Sequence, residues 1–173
     1  MEKIKKHLLD NFAVYAVLLA CVIVILVAVF ITSKPKVETV DTSMFKVVTL
    51  KETLELFETP EPKLLVMSVD TCTATIGYVP YLQISQAKHG YETYYLNLNT
   101  IDTTSEDFKT LLDKLDFEYN FRGTIGKFGQ FIENTPSTVI IKNKKQVFGY
   151  IGSISTDTLG SYVELYGVGK WKE

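Results

Sequence analysis

One stretch near the start of the chain is uncharged over 20 residues, FAVYAVLLACVIVILVAVFI at residues 12–31. At about 1.5 Å of rise per residue, a helix of this length reaches across the roughly 30 Å hydrocarbon core of a bilayer. The sequence therefore predicts a transmembrane helix at residues 12–31, preceded by a short cytoplasmic tail at residues 1–11.

Two other interpretations of this apolar run have weaker support. A cleaved signal peptide has an apolar region of about 7–15 residues and a small-residue cleavage site, whereas this run is longer and the following VFITSKPK offers no such site. The sequence LLAC, which ends at Cys21, resembles a lipoprotein acceptor site, but ten further apolar residues follow it. An uncleaved anchor is favoured over both interpretations, and Cys21 would then face lipid.

Basic residues at the two ends of the run indicate its orientation. Lys3, Lys5 and Lys6 precede the run together with the terminal amine, and Lys34 and Lys36 follow it. Positively charged flanks tend to stay on the cytoplasmic side of a membrane. The small N-terminal excess therefore predicts a single-pass protein of the cell membrane, with its N-terminus inside and its domain extracytoplasmic.

The rest of the chain has the composition of a folded domain. Hydrophobic residues make up 46% of the chain and charged residues 22%, both ordinary values for globular proteins. We predict a polar linker at residues 32–44, one domain at residues 45–168 and a tail at residues 169–173. A formal net charge of −2 and the lack of a long basic run give a nucleic-acid partner no electrostatic support.

The two cysteines and two histidines limit the chemistry of the chain. Cys21 lies within the apolar run, so Cys72 is the only cysteine outside it and a disulfide framework is excluded. His7 and His89 are isolated, and no Cys/His cluster has metal-ligand spacing. We therefore expect neither a metal nor another cofactor.

Strand and helix patterns alternate through the first half of the domain. The run KLLVMSV at residues 63–69 is apolar throughout and lies between turn signals, which is typical of a buried central strand. The predicted order is strand FKVVT, helix LKETLELFE, strand KLLVMSV, helix 75–89, strand 92–99, a helix after Ser105, a short helical piece in TIGKFGQFIEN, a hairpin of STVIIKN and KQVFGYIG, and a closing helix TDTLGSYVELYG. This order predicts an α/β domain whose central mixed sheet has helices on both faces.

Local signals mark the ends of several of these helices. Thr49 and Glu52 have the spacing of a capping box. Gly90 and Gly167 follow predicted helices as C-terminal stops, and Ser155 or Thr156 is expected to cap the last helix. Pro80 lies inside the helix at residues 75–89 and predicts a kink there.

The motifs around Cys72 resemble the thioredoxin-like superfamily. Pro80 lies eight positions after Cys72, the spacing of the proline in the thioredoxin helix. The segment NTPS resembles the cis-proline loop of the family, with Pro136 as the cis-proline and Gly152 as its late glycine. KFG at residues 127–129 resembles the family's short motif before that proline. The resemblance covers about residues 45–168 and implies a thioredoxin-like fold.

Within the superfamily, the chain resembles the membrane-anchored proteins of the bacteriocin transport accessory type from Gram-positive bacteria. The shared features are the N-terminal anchor, the helix start at residues 72–82, the YYL strand at residues 94–96, and TPS before an apolar strand. This resemblance implies an extracytoplasmic accessory protein that binds peptide or protein partners.

Three positions depart from the redox pattern of the superfamily. Thr75 occupies the place of the second cysteine of C-x-x-C, Thr71 that of an aromatic residue, and Val66 that of a buried acid. A dithiol cycle needs a resolving thiol, which Thr75 cannot supply. The segment at residues 102–123 is also longer than in plain thioredoxin and is expected to add a helix.

Two functions follow from these motifs, and the sequence leaves both open. The favoured one is a redox-silent protein that binds an extended peptide, by strand addition, in a groove lined by Thr135, Pro136 and the Cys72 loop. The alternative is a monothiol disulfide oxidoreductase, in which Cys72 acts on extracellular thiols or disulfides from a helix N-terminus. Asp70 is expected to oppose a Cys72 thiolate by like-charge repulsion. Enzymatic activity is thus left open, with binding preferred.

Overall fold

The computed structural model describes residues 11–32 and 38–169. The predicted tail before residue 11, the first part of the predicted linker and the last four residues lie outside this range. The chain divides into two compact units, Met1–Val37 and Glu38–Glu173.

The first unit contains helix α1, Phe12–Thr32. Its 21 residues carry no charged side chain, as the apolar run predicts. Among the described residues, no helix has both the length and the apolar character needed to cross a bilayer. The transmembrane anchor therefore stays a prediction from the sequence.

The second unit is an α/β domain. Its strands are β1 Lys46–Val48, β2 Lys63–Ser68, β3 Thr93–Asn97, β4 Glu118–Phe121, β5 Thr124–Lys127, β6 Ser137–Lys142 and β7 Lys145–Ile151. Its helices are α2 Leu50–Leu56, α3 Thr73–His89, α4 Glu106–Lys114 and α5 Thr156–Tyr166, with 3₁₀ turns at Leu98–Thr100 and Phe128–Phe131.

Five of the described strands form one mixed sheet in the order β1-β3-β2-β6-β7. Strands β1, β3 and β2 run parallel, β6 runs antiparallel to β2, and β7 runs antiparallel to β6. Val66 in β2 lies beside Tyr95 of β3 and Thr138 of β6. The predicted central mixed sheet is confirmed, and KLLVMS is its middle strand.

The core lies on both faces of this sheet, because successive side chains of a strand point to opposite faces. Leu64 and Val66 of β2 belong to one buried cluster, which includes residues of α3 and α5. Leu65 and Met67 belong to the other, which includes residues of α2 and α4. This two-sided burial explains why β2 is apolar at consecutive positions rather than at alternate ones.

The predicted helix ends are observed. In the capping box, the Thr49 N–H donates to Glu52 Oε2 at 2.7 Å and the Glu52 N–H donates to Thr49 Oγ1 at 3.2 Å. Gly90 follows α3 with φ of 69° and Gly167 follows α5 with φ of 76°, a region that favours glycine. Ser155, rather than Thr156, caps α5 by accepting the Thr158 N–H.

The predicted helical piece in TIGKFGQFIEN is wrong over most of its length. Its first residues form β5, which pairs antiparallel with β4, and the only helical part is the 3₁₀ turn at Phe128–Phe131. The two-residue turn between β4 and β5 has positive φ at Arg122 (53°) and Gly123 (90°). Such a turn closes a tight hairpin, so the backbone groups of this segment bond across strands instead of along a helix. The segment at residues 102–123 thus contains α4, as expected, and also β4.

Candidate functional site

Cys72 is the last residue of the connection between β2 and α3. It is the N-cap residue of α3, with φ of −72° and ψ of 113°, and its own N–H donates to the Val69 carbonyl at 2.9 Å. The side chain is half-buried and the thiol is free. The first turn of α3 therefore presents its unpaired N–H groups near the sulfur.

The Thr135–Pro136 loop lies next to this cysteine, because the end of β2 pairs with the start of β6. The Thr135–Pro136 peptide bond is cis, as the resemblance implied. Cys72 Sγ lies 3.8 Å from the Thr135 carbonyl oxygen, although 63 positions separate the two residues. The Gly152 N–H donates to the Pro136 carbonyl at 2.7 Å and holds the loop from its other side. The fold therefore brings together Cys72, Thr135, Pro136 and Gly152.

Thr75 points into the protein and not into the groove. Its side chain is fully buried, and its hydroxyl forms a short hydrogen bond with the hydroxyl of Ser68, the last residue of β2. A threonine has no sulfur to release a mixed disulfide. Thr75 instead links the start of α3 to the end of the central strand.

Opposing effects act on the pKa of the Cys72 thiol, and the net result is a lowered pKa. Burial raises the pKa, whereas hydrogen bonds to Thr135, to the Thr75 hydroxyl and to the N–H groups of Thr75 and Ala74 lower it. Cys72 Sγ accepts no capping hydrogen bond of ordinary length, so these two N–H groups stabilise the thiolate from a greater distance. The site therefore favours the thiolate without any basic side chain among these causes.

The Asp70 carboxylate is engaged by two donors from β3. The Tyr95 hydroxyl donates to Asp70 Oδ1 at 3.0 Å, and Asn97 Nδ2 donates to Asp70 Oδ2. Burial raises the pKa of Tyr95, and the bond to Asp70 raises it further. The negative charge expected to oppose a thiolate is thus partly compensated by these donors.

Sequence reasoning missed Tyr95 and Asn97 as neighbours of the site. The ends of parallel strands meet at one edge of a sheet, and Ser68 of β2 lies beside Asn97 of β3. The pairing of the segments SVD and YLN at this edge was the signal that could have placed the two residues next to Asp70.

The two other departures from the redox pattern have clear structural positions. Val66 is fully buried in the central strand, so no ionisable acid lies at that point. Thr71 is exposed just before the cysteine. Within the described residues, no group of three or more His, Cys, Asp or Glu side chains is placed to hold a metal ion.

This arrangement defines what the site can do chemically. A half-buried thiol with a lowered pKa can attack a disulfide and form one mixed disulfide. Resolution of that bond requires a thiol from outside the site, because Thr75 occupies the resolving position.

Comparisons with known proteins give fold-level likenesses alone. No protein-family model matches the chain, and no curated protein matches it. Similar solved structures include thioredoxin from Plasmodium falciparum, at 15% identity over 70% of this chain and 98% of that one, with a TM-score of 0.47. Thioredoxin from Aeropyrum pernix has 14% identity over 68% of this chain and 83% of that one, with a TM-score of 0.48.

A third similar chain comes from a structure that concerns the thiol-resolving mechanism of yeast mitochondrial 1-Cys peroxiredoxin. It has 14% identity over 70% of this chain and 95% of that one, with a TM-score of 0.47. By its own geometry, the domain has the thioredoxin-like fold expected from the sequence: a β1-β3-β2-β6-β7 sheet, and a cis-proline loop beside Cys72, the N-cap residue of α3.

Proposed function

We propose that the chain is a membrane-anchored, extracytoplasmic thioredoxin-like accessory protein that binds peptide or protein partners, in the export of a bacteriocin or another peptide. The observation that carries the proposal is the position of Cys72 Sγ, 3.8 Å from the Thr135 carbonyl beside a cis-proline. Together with the burial of Thr75, it supports a peptide-binding groove that does not depend on a dithiol.

The groove suits an extended peptide because it presents backbone groups at the start of a strand. Thr135 is partly exposed and lies two residues before the start of β6, and the buried Pro136 lies between them. Strand addition draws its affinity from main-chain hydrogen bonds and its specificity from alternate side chains. The residues assigned to the groove are Thr135 and Pro136, with the Cys72 loop as the opposite wall.

A bulky charge in the groove tests partner binding. Thr135→Arg in the full-length chain is expected to abolish photo-crosslinking of the exported peptide to a probe at Ser153, which follows Gly152. Thr103→Arg introduces the same side chain at an exposed loop position and is expected to leave crosslinking unchanged. Equal crosslinking by both variants would rule out the groove beside Pro136.

The anchor and the extracytoplasmic location rest on the uncharged helix α1 and on the basic residues before it. In intact cells, a membrane-impermeant maleimide is expected to label Cys72, which is half-buried and free. The Cys72→Ser variant retains only Cys21 and controls for labelling of that residue. Labelling of Cys72 only after lysis would place the domain inside the cell and contradict the proposal.

The lowered pKa of the Cys72 thiol favours a second candidate, a monothiol disulfide oxidoreductase. In that reaction the Cys72 thiolate attacks a disulfide, one sulfur leaves as a thiolate, and an external thiol later reduces the mixed disulfide. Cys72→Ser separates the two functions. Unchanged peptide export by this variant would exclude the redox function, and complete loss of export would exclude a binding function that does not use the thiol.

A further inference from the structure

A chain of hydroxyl groups lies beneath Cys72, at the carboxyl ends of β2 and β3. Tyr95 donates to Asp70 Oδ1 at 3.0 Å. The Ser68 and Thr75 hydroxyls hydrogen-bond to each other, and Ser68 also lowers the pKa of Tyr95. Thr75 in turn lowers the pKa of the Cys72 thiol, which belongs to the N-cap residue of the same helix, three positions earlier. Ser68 and Thr75 are fully buried, so no bulk water competes for these bonds.

We propose that Ser68 is a positioning residue that holds the Thr75 hydroxyl toward the Cys72 sulfur and so sets the reactivity of this thiol. The proposal deepens the monothiol function and needs no particular partner. It assigns Ser68 no contact with a substrate, because the residue acts through Thr75.

The hydroxyl hydrogens can point in either of two directions along the chain. When Cys72 is a thiol, it donates to the Thr135 carbonyl, while Thr75 donates to Ser68. When Cys72 is a thiolate, Thr75 donates to the sulfur and Ser68 donates to Thr75. Tyr95 donates to Asp70 in both states.

Passage between these states needs only rotation of two hydroxyl groups, since the thiol proton leaves to solvent. In the Ser68–Thr75 pair either oxygen can be the donor. Without Ser68, the Thr75 hydroxyl loses the donor that supports it once it turns toward the sulfur. The thiolate would then lose part of its stabilisation. The hydrogen bond that Thr75 donates to the charged sulfur is stronger when the Thr75 oxygen itself accepts a hydrogen bond from Ser68.

Two titratable groups face this chain and are common to every variant in the test below. Asp70 lies in the β2–α3 connection and Tyr95 comes from β3, and these two are bonded to each other. Thr135, from the loop before β6, contributes an uncharged carbonyl. If replacement of Ser68 changes the Cys72 pKa, the change would therefore come from the hydrogen-bonded hydroxyl groups and not from the loss of a charge.

The test measures the iodoacetamide alkylation rate of the Cys72 peptide by mass spectrometry, from pH 5 to 10, in full-length protein in detergent. Thr75→Val is expected to raise the Cys72 pKa by about one unit and Ser68→Ala by about half a unit, as expected for lost hydrogen bonds to a charged group. A half-unit shift slows alkylation at pH 7 about threefold, because the thiolate is the nucleophile.

The double variant shows whether Ser68 acts through Thr75. Ser68→Ala is expected to add nothing in the Thr75→Val background, since coupled residues are not additive. Thr75→Ser retains the hydroxyl and is expected to keep the wild-type titration. Ser85→Ala removes another fully buried serine hydroxyl, which is not bonded to the hydroxyl groups beneath Cys72, and serves as the matched control.

Two outcomes would overturn the proposal: a Ser68→Ala titration that coincides with wild type, or an undiminished Ser68→Ala effect in the Thr75→Val background. If Ser68→Ala does not fold by circular dichroism, Ser68→Thr and Ser68→Val replace it. These two have the same shape, and only valine should raise the Cys72 pKa; coincident titrations would refute the role of Ser68. Partner crosslinking is read separately, so failure of the proposed binding function leaves these titrations interpretable.

Discussion

Replacement of Thr75 by cysteine should convert the site into one that forms an intramolecular disulfide. Cys72 and Thr75 occupy the N-cap and the third position of α3, and Thr75 is fully buried beside Ser68. In Thr75→Cys, the loss of the threonine hydroxyl leaves Ser68 with a weak sulfur partner. We expect the reduced variant to be less stable than wild type by about 1–2 kcal/mol.

Oxidation should reverse most of this loss. Closing a loop of four residues stabilises the folded state by about 2 kcal/mol in the chain-entropy model. For a domain of this size, that corresponds to a rise of about 5–10 °C in Tm on going from the reduced to the oxidised variant. The net stability of the oxidised variant should thus lie close to that of wild type.

The assay combines mass spectrometry of the Cys72 peptide with thermal melts followed by circular dichroism, before and after treatment with oxidised glutathione. Thr73→Cys places a thiol next to Cys72 at an exposed position and is the control that should form mixed disulfides instead. A Thr75→Cys variant that yields only mixed disulfides, or whose oxidised form melts below its reduced form, would refute the formation of a stabilising disulfide.

Three further predictions follow from packing, capping and ionisation in the domain. A Cβ at Gly149 would lie 2.5 Å from Gln146 Nε2 and 2.6 Å from the Phe128 ring, so Gly149→Ala should destabilise the domain by about 1–3 kcal/mol in chemical unfolding. At Gly77, in α3, a Cβ meets nothing within 4 Å, so Gly77→Ala should instead stabilise by about 0.5–1 kcal/mol; equal effects would contradict the packing argument. Thr49→Ala removes the capping box of α2 and should cost about 1 kcal/mol, seen as a lower urea midpoint at an unchanged slope. Burial raises the pKa of Tyr91 to about 12, above its value of about 10 in the unfolded chain. The stability from the neutral phenol should be fully present below pH 10 and lost as the pH rises to 12; an equally steep loss in Tyr91→Phe would contradict this assignment.

Features of the fold that are complete within a few residues could be predicted from the sequence. The capping box of Thr49 and Glu52 needs only its own helix, and Gly90 needs only the turn that ends α3. The run at β2 predicts a central strand because a strand buried on both faces is apolar at every position. These local patterns agree with the final packing, so local and global structure reinforce each other.

The β4–β5 hairpin could not be predicted in the same way. Its turn is Arg122–Gly123, which lacks the Asn-Gly or Asp-Gly signal of a two-residue hairpin. Aromatic contacts made after folding hold it in place: the rings of Tyr119 and Phe128 lie 5.2 Å apart, and those of Phe121 and Phe131 lie 5.6 Å apart. Such contacts override a weak local preference.

At the candidate site, the sequence identified single residues but not the bonds among them. Cys72, Thr135 and Pro136 could be placed through the resemblance of their motifs to a known family, and the structure brings them together. The link between Ser68 and Thr75 has no such signature, because it joins two common hydroxyl residues from a strand and a helix. Hydrogen-bond networks of this kind depend on backbone geometry that spacing alone does not specify.

The position of Tyr119 has a consequence for how the domain meets other chains. Its hydroxyl accepts the Ile151 N–H at 3.2 Å, at the end of β7, which is an outer strand of the sheet. An open row of N–H groups on such a strand invites pairing with another chain and, from there, aggregation. Because the Tyr119 hydroxyl accepts this hydrogen bond, the Ile151 N–H just before Gly152 is no longer open to another chain. Tyr119 thus covers one of the donors through which this outer strand could pair with a second copy of the domain.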